Sequence, residues 1–546
     1  MLRRFGLAKS RDMAYAVEAR QRIRNALEAL PIFARPLEQS LYHYCAVLDV
    51  EEYKAQADPL RIFSAGRAAV ESSIRAIPEL FARCPRGQTE PRMDQALFSE
   101  AYELFAFTRT YEQVAFSFEL ADRGQFEIHI AKLAPRITFT YSAVESDNVD
   151  TLLRSAELLE HLGLAEEKNT DQTGMLAAIS AVRAALDGHI RFTSSESITY
   201  DYTPDLTARV SEWANLLESA IPWRLSPKVM FGSVSFGEVR RFWAALVAIS
   251  NTHDAAHLMA GEGDIHKWPI SSRVLLHPQD QFKVLLSAIS GLTEQSTATI
   301  FEWLIFDPRI SAKTPVLQPF LPIAPQLLAV PSLFVTTTDF ERNFLRLINR
   351  HPALLPYADA VKKSKEPLAL AQIAALFPEP VYRTKPQVLL PKTDADLVVW
   401  ERATGLVIVI QHKWLIGPDT ASESASNDEE LNKGVRQAVL ARDYWRAAPD
   451  ELRRSLSLPD EAAITQIEAC VISRGSEPTG FVKPPAVPVA SEKALVALFN
   501  RERTLTSLWK LLTTRPDQIE SAKQTREVRF TVDLADYQFV IPGLAM

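Results

Sequence analysis

The stretch from Thr393 to Trp414, TDADLVVWERATGLVIVIQHKW, constrains the fold of this chain more than any other. Two apolar runs rich in β-branched residues, Leu397 to Trp400 and Leu406 to Ile410, flank Arg402-Ala403-Thr404-Gly405, a pattern that predicts a β-hairpin. With the turn centred between Ala403 and Thr404, Trp400 lies opposite Val407, Asp396 opposite Gln411 and Asp394 opposite Lys413. Side-chain alternation then sends Asp394, Asp396, Gln411 and Lys413 to one face and His412 to the other. Directly opposed Cβ atoms lie about 4.5–5.5 Å apart in a ladder, so four polar groups converge at the open end of the hairpin.

An oxygen cluster of this kind suits a hard cation such as Mg²⁺, which takes one or two carboxylates and keeps several waters. A lysine beside it orients a bound water or stabilises charge on a phosphoryl oxygen, and these parts fit phosphodiester hydrolysis. The plainer reading is an exposed hairpin mouth in which Asp394 and Lys413 form a surface ion pair worth about 0.2–1 kcal/mol.

An aspartate opening one strand, a hairpin, and an apolar run ending in Gln411-His412-Lys413-Trp414 resemble the PD-(D/E)XK nuclease superfamily, the restriction-endonuclease-like fold. The Q-x-K ending is similar to that of Mrr-type endonucleases, and the hairpin spacing resembles NERD-type nuclease domains. The resemblance implies that Asp396 binds metal, Gln411 is the second ligand and Lys413 is the catalytic lysine, with Mg²⁺ or Mn²⁺ as cofactor and DNA as substrate. Gln411 offers a neutral carbonyl where most members have a carboxylate, and Asp394 is placed to restore the charge. Such nucleases often bring a glutamate from the first helix to the metal. Glu341 occupies that position in a helix capped by Thr336-Thr337-Thr338-Asp339, its alternative being an exposed glutamate near Arg342 and Arg346. Beyond the hairpin, Ser426-Asn427-Asp428-Glu429 has the pattern of a capping box opening a helix to about Trp445. That helix sets Lys433, Gln437 and Tyr444 near one face, and in the family it packs beside the hairpin, where Lys433 or Gln437 reaches a phosphate.

Before this region the pattern is mainly helical, with Ala-rich segments at 12–30, 66–83, 150–166, 174–187, 205–220 and 236–250. Strand signals at Phe116 to Leu120, Phe126 to Ile130, Ile137 to Tyr141 and Ile198 to Tyr202 predict a small antiparallel sheet. Prolines 308, 315, 319, 322, 325 and 331 interrupt short apolar runs, which places a domain boundary near residue 330. After it, Val388 to Leu390 and Ile464 to Ser473 read as strands, LVALFNRERTLTSLWKLL as a helix, and Val528 to Val532 as a late strand. There is no solenoid-period repeat and no Gly-rich phosphate loop.

A rival constellation is His253-Asp254-Ala255-Ala256-His257, whose imidazoles at i and i+4 share a helical face as zinc ligands do. His266 is a third candidate ligand, while Ser250-Asn251-Thr252 reads as a helix boundary and capping or solvated histidines as the plainer account.

At 546 residues the chain exceeds what one core usually serves. Its 47% hydrophobic and 23% charged residues, without an apolar run of membrane-spanning length, are those of a water-soluble protein. Its N-terminal stretch reads as an amphipathic helix rather than a signal. Three cysteines without C-x-x-C spacing argue against a disulfide framework or structural zinc and suit a reducing cytoplasm. A net charge of −7 does not favour wholesale nucleic-acid binding, although basic clusters at residues 3–35 and 361–365 leave room for local contacts with phosphates.

The expectation is a mainly α-helical region, 1–330, containing a small antiparallel sheet, joined to an α/β restriction-endonuclease-like domain, 331–546, with a mixed central sheet flanked by helices. Its function would be a cytoplasmic, metal-dependent endodeoxyribonuclease in bacterial defence or DNA processing, acting on DNA without a membrane and with homo-oligomer contacts. The alternatives are a nuclease-like DNA- or protein-binding module that does not cut, and a zinc hydrolase centred on His253 and His257.

Overall fold

The computed structural model describes residues 8–545 apart from 56–58, 88–90, 123–125, 132–134, 142–171, 193–197, 222, 224, 261–273, 312–313, 337, 417–420, 475–485 and 515–525. The helical pattern at 150–166 and His266 lie outside the described residues. The chain packs as two compact units: Met1–Val114 with Asn169–Lys362 and Leu534–Tyr537, and Ala115–Lys168 with Lys363–Asp533 and Gln538–Met546.

The first unit is mostly helical. Its long helices include Leu37–Ala55, Pro59–Arg83, Pro204–Ala220 and Phe236–Ala260, around a three-stranded antiparallel sheet whose central strand Leu327–Val330 pairs with Leu275–Pro278 and Leu321–Ala324. The proline-rich stretch expected as a boundary is part of this core. Pro308 and Pro315 open short helical turns and Pro322 lies in a strand, and Val316, Leu317, Phe320 and Leu321 among them are buried. The helix Phe340–Ile348 belongs here too, because Phe340 stacks on Trp243 at 3.9 Å and Phe344 on Phe236 at 5.9 Å. The packing therefore divides the chain near Lys362 rather than near residue 330.

Two local expectations fail in the long helices. Phe116 to Leu120 is not a strand but the end of the helix Gln95–Asp122, whose buried Val114 and Phe118 recur at helical spacing. Ser250-Asn251-Thr252 does not end a helix either. The Thr252 hydroxyl donates back to the Ala248 carbonyl, and the helix continues to Ala260.

The second unit holds a mixed five-stranded sheet. In chain order its strands are Tyr382–Leu389 (β1), Asp394–Glu401 (β2), Leu406–Trp414 (β3), Gln466–Arg474 (β4) and Val489–Ser491 (β5), which is also their spatial order. β1, β2 and β3 run antiparallel, while β3 with β4 and β4 with β5 are parallel. Helices Ala358–Ala374 (α1), Ala421–Ala447 (α2), Glu492–Glu502 (α3) and Leu505–Thr514 (α4) cover it. Alternation divides the sheet's apolar residues cleanly. Val398, Trp400, Val407 and Val409 pack with Leu431, Val435 and Ala438 of α2, while Leu397, Val399, Ile408 and Ile410 pack with residues of α1, α3 and α4. β4, apolar on both faces, is buried on both, as its sequence requires.

α2 begins at Ala421, so Ser426 lies inside it and is not its cap. The single helix read from LVALFNRERTLTSLWKLL is two, broken at Arg503, which adopts a left-handed φ of 51°. The same unit carries a four-stranded sheet in the order Phe126–Ile130, Arg136–Tyr141, Tyr537–Ala545, Arg526–Leu534. Its first pair is antiparallel, and Arg136–Tyr141 runs parallel to Tyr537–Ala545. No helix among the described residues is long and apolar enough to cross a membrane.

Candidate active site on the hairpin

The hairpin register is the one its sequence predicts: Trp400 pairs with Val407 and Leu397 with Ile410. Gly405 closes the turn at φ +70°, and a Cβ there would meet the Ala463 carbonyl oxygen at 2.7 Å, so both conformation and space require glycine. Alternation carries Asp394, Asp396, Gln411 and Lys413 onto the face covered by α2, and three side-chain contacts tie Asp394, Gln411 and Lys413 together through Gln437. Gln411 Nε2 donates to Asp394 Oδ1 at 3.3 Å, Gln437 Nε2 donates to the same oxygen at 3.2 Å, and Lys413 Nζ donates to Gln437 Oε1 at 2.8 Å. Asp394 and Lys413 are thus linked through the Gln437 amide, within a partly buried patch rather than an exposed hairpin mouth.

Asp396 accepts a hydrogen bond from the His412 backbone N–H at 2.7 Å. Burial raises its carboxyl above the usual range, Asp394 adds to the rise, and the His412 N–H and the Lys413 ammonium oppose it. Burial likewise lowers the Lys413 ammonium, against the pull of Asp396 and Asp394. Gln411 is only 1% exposed, and its Oε1 has no hydrogen-bond partner among the described residues. A buried carbonyl oxygen in that state costs about 1–3 kcal/mol unless something else satisfies it.

Of the helical candidates, the structure brings Gln437 into the site and leaves Lys433 out. The Lys433 side chain is 56% exposed, with Nζ 3.7 Å from Glu430. The Tyr444 hydroxyl donates to Glu451 instead. Glu341 belongs to the first unit, where its buried carboxylate accepts the Leu225 backbone N–H. It was expected as a metal ligand or an exposed helical residue. As packed, it clamps a neighbouring loop.

The structure adds Gly434, Glu492 and Arg474 to the residues around the hairpin. α2 crosses β3 so closely at Gly434 that a Cβ there would lie 3.0 Å from Lys413 Cε and 3.2 Å from Val471 Cγ1. A glycine in a helix interior costs about 1 kcal/mol relative to alanine, and that cost was the available signal. On the opposite face, His412 Nε2 lies 2.6 Å from Glu492 Oε1, in the first turn of α3, and Arg474 Nε is 3.2 Å from Glu492 Oε2. Arg474 and Lys365 also lie over the Trp414 ring, at 4.5 and 4.6 Å from its centroid. The His412 backbone therefore serves Asp396 while its ring is anchored behind the sheet.

The rival pair shares a helical face as its spacing predicts, but the histidines neither cap a helix nor stand solvated, since both lie within Phe236–Ala260 and His257 is buried. His253 and His257 share a face of their helix with their Nε2 atoms 3.1 Å apart, so one imidazole donates to the other, and His253 Nδ1 meets the Tyr200 hydroxyl at 3.1 Å. Asp254, the counterpart of a general base, accepts from the Ser332 hydroxyl at 3.1 Å. Among the described residues, no three His, Cys, Asp or Glu side chains group as a metal site. The hairpin patch accordingly offers two carboxylates and an amide oxygen. No protein-family model, curated protein or solved structure matches this chain.

Proposed function

We propose that the second unit is a metal-dependent phosphodiester hydrolase of the PD-(D/E)XK, restriction-endonuclease-like kind, acting on DNA. The observation that carries this reading is the convergence of Asp394, Asp396, Gln411 and Lys413 under α2, with Gln411 Oε1 buried and unsatisfied beside two carboxylates. This donor set fits a hard cation, since all its ligating atoms are oxygens and the orphaned carbonyl needs an electropositive partner. Asp396 and Gln411 would hold Mg²⁺ or Mn²⁺, with Asp394 supplying the second charge. When bound, the cation would polarise the phosphodiester and lower the pKa of an attacking water.

The chain's own residues do the positioning. The His412 N–H fixes one oxygen of Asp396, and Gln437 holds the Lys413 amine at the edge of the carboxylates. From there the amine donates to a phosphoryl oxygen or orients the water. The helical unit would then supply recognition, regulation or contacts between copies, in a cytoplasmic defence or DNA-processing role.

The test is cleavage of supercoiled plasmid with Mg²⁺ or Mn²⁺, beside an EDTA control and the folded variants Asp396→Ala and Lys413→Ala. Cleavage should vanish in EDTA and fall at least about 100-fold in each variant, the scale of losing one electrostatic group in an active site. Cleavage that survives in both variants would refute the assignment. A second reading, a module that binds without cutting, draws on the two amides that donate to Asp394 and close the patch upon itself. Tight DNA binding with no cleavage in either metal would select it.

A further inference from the structure

The four-stranded sheet of the second unit presents a shallow groove of about 480 Å³ on one face, lined by His129, Arg136, Thr138, Arg529, Thr531 and Val540 among others. Alternation explains which residues face it. Ile137 and Phe139 are buried behind the sheet, so Arg136 and Thr138 point outward, and the His129 side chain is 57% exposed. The lining contains two guanidinium groups, an imidazole and two threonine hydroxyls, and no carboxylate. Glu127 stands nearby with its oxygen 3.9 Å from His129 Nε2, and that imidazole also contacts the Thr140 hydroxyl at 2.9 Å. In a chain of net charge −7, a cationic lining marks a place where negative charge is favoured.

We propose that this groove binds the phosphodiester backbone of a nucleic-acid strand, with Arg136 and Arg529 contacting phosphates and Thr138 and Thr531 donating hydrogen bonds. Guanidinium forks match phosphate oxygens in pairs, and hydroxyl donors complete the oxygens' shell. The floor at Val540, which pairs with Thr138 and shares its face, gives apolar contact to sugars or base edges. An open trough crossing several strands suits a polymer passing over it better than a small ligand enclosed within it. The groove lies in the same compact unit as the hairpin site, and its role as a substrate contact rests on the hydrolase assignment, whereas phosphate binding itself does not.

The experiment is fluorescence-polarisation titration of the full-length protein with a labelled 30-nucleotide single strand, between 50 and 250 mM NaCl. The double variant Arg136→Gln/Arg529→Gln should bind at least about 10-fold more weakly. It should also flatten the slope of log K against log salt by about 1.4, because each lost phosphate contact on a single strand removes about 0.7. The charge-conserving Arg136→Lys/Arg529→Lys variant should keep the wild-type slope, and Arg309→Gln, an exposed arginine of the other unit, should change nothing. Circular dichroism melts establish that each variant is folded. The proposal is overturned if the wild type does not bind, if the Gln variant keeps the wild-type affinity and slope, if Arg309→Gln weakens binding equally, or if a poly-glutamate peptide binds as tightly through the same arginines. Plasmid cleavage measured alongside separates the two assignments. Groove-dependent binding without cleavage fails the hydrolase alone, and cleavage with binding unaffected by the Gln variant fails the groove alone.

Discussion

Gln411 is where the chemistry of the hairpin can be tested apart from catalysis. Its amide donates to Asp394 on one side and leaves a buried oxygen unsatisfied on the other. Gln411→Glu would replace that donor with a third carboxylate facing Asp394 and Asp396 in a patch shielded from water. Crowded like charges and desolvation should then destabilise the metal-free protein by about 1–2 kcal/mol, lowering Tm by a few degrees in EDTA. A cation that binds only the folded state should reverse the loss by mass action, so millimolar Mn²⁺ should raise the variant's Tm more than the wild type's. Differential scanning fluorimetry decides it, and equal melts with and without metal for both proteins would remove the cation from this site. His277 offers a separate test by pH. Its ring stacks on Phe282 at 4.7 Å, and burial pushes its pKa down to about 4. The folded-state value lies below the unfolded one of about 6.5, so folding binds fewer protons. His277 thus contributes stability that is fully present above pH 6.5 and lost as pH falls toward 4. An NMR titration should give a midpoint near 4, and His277→Phe should lose less stability across that window than the wild type.

At the scale of elements, the crossing of α2 over β3 makes a prediction that separates stability from activity. Gly434→Ala recovers about 1 kcal/mol of helix propensity, and its new methyl group must share space with Val471 Cγ1 at 3.2 Å and Lys413 Cε at 3.0 Å. The lysine end is flexible and gives way at little cost, so stability should change by no more than about 1 kcal/mol in urea denaturation. The displaced amine should lose Gln437, and cleavage should drop at least about 10-fold. A variant that cuts as well as the wild type would show that the close approach does not position Lys413. The same crossing shows what could be read in advance. The register and the facing of Asp394, Asp396, Gln411 and Lys413 follow from a period of two and a turn, both local properties of 22 residues; the register matches the ladder from Trp400–Val407 to Leu397–Ile410, while beyond it Gln411 reaches Asp394 rather than the Asp396 expected opposite it. Ser426 and Glu429 satisfy a capping pattern that α2 passes through, so the local pattern places the start of the helix too late. The end of the helix Gln95–Asp122 imitates a strand in sequence because Phe116, Phe118 and Leu120 alternate, whereas in the helix Phe116 turns to solvent and Phe118 and Leu120 are buried. Glu492 and Arg474 were invisible because nothing near them in sequence indicates that β4 and α3 bring them behind His412.

For the molecule as a whole, the hardest feature to foresee is that neither unit is continuous in sequence. The C-terminal strand Tyr537–Ala545 finds its parallel partner in Arg136–Tyr141, and Phe539 stacks with Phe139 at 6.4 Å and meets Phe118 at 6.1 Å. Such pairing depends on residues some 400 positions apart, and no local periodicity encodes it. Residues 331–362, conversely, carry Phe340 and Phe344 into the helical unit's aromatic core. A fragment spanning 331–546, the domain that sequence alone suggests, would strip Phe340 of Trp243, Phe344 of Phe236 and Phe539 of Phe139, and leave one strand edge unpaired. Each ring returned to water forfeits about 1.5–3 kcal/mol, and three together rival the whole stability of a typical domain, about 5–15 kcal/mol. That fragment should elute as aggregate on size exclusion and melt without a cooperative transition. Residues 363–546 joined by a flexible linker to 115–141 should recover a monomer with a cooperative melt, since the fusion restores the parallel strand and the Phe118, Phe139 and Phe539 contacts. If 331–546 alone proved monomeric and cooperative, the five-stranded sheet would be self-sufficient and the four-stranded sheet an accessory to it rather than part of its folding unit.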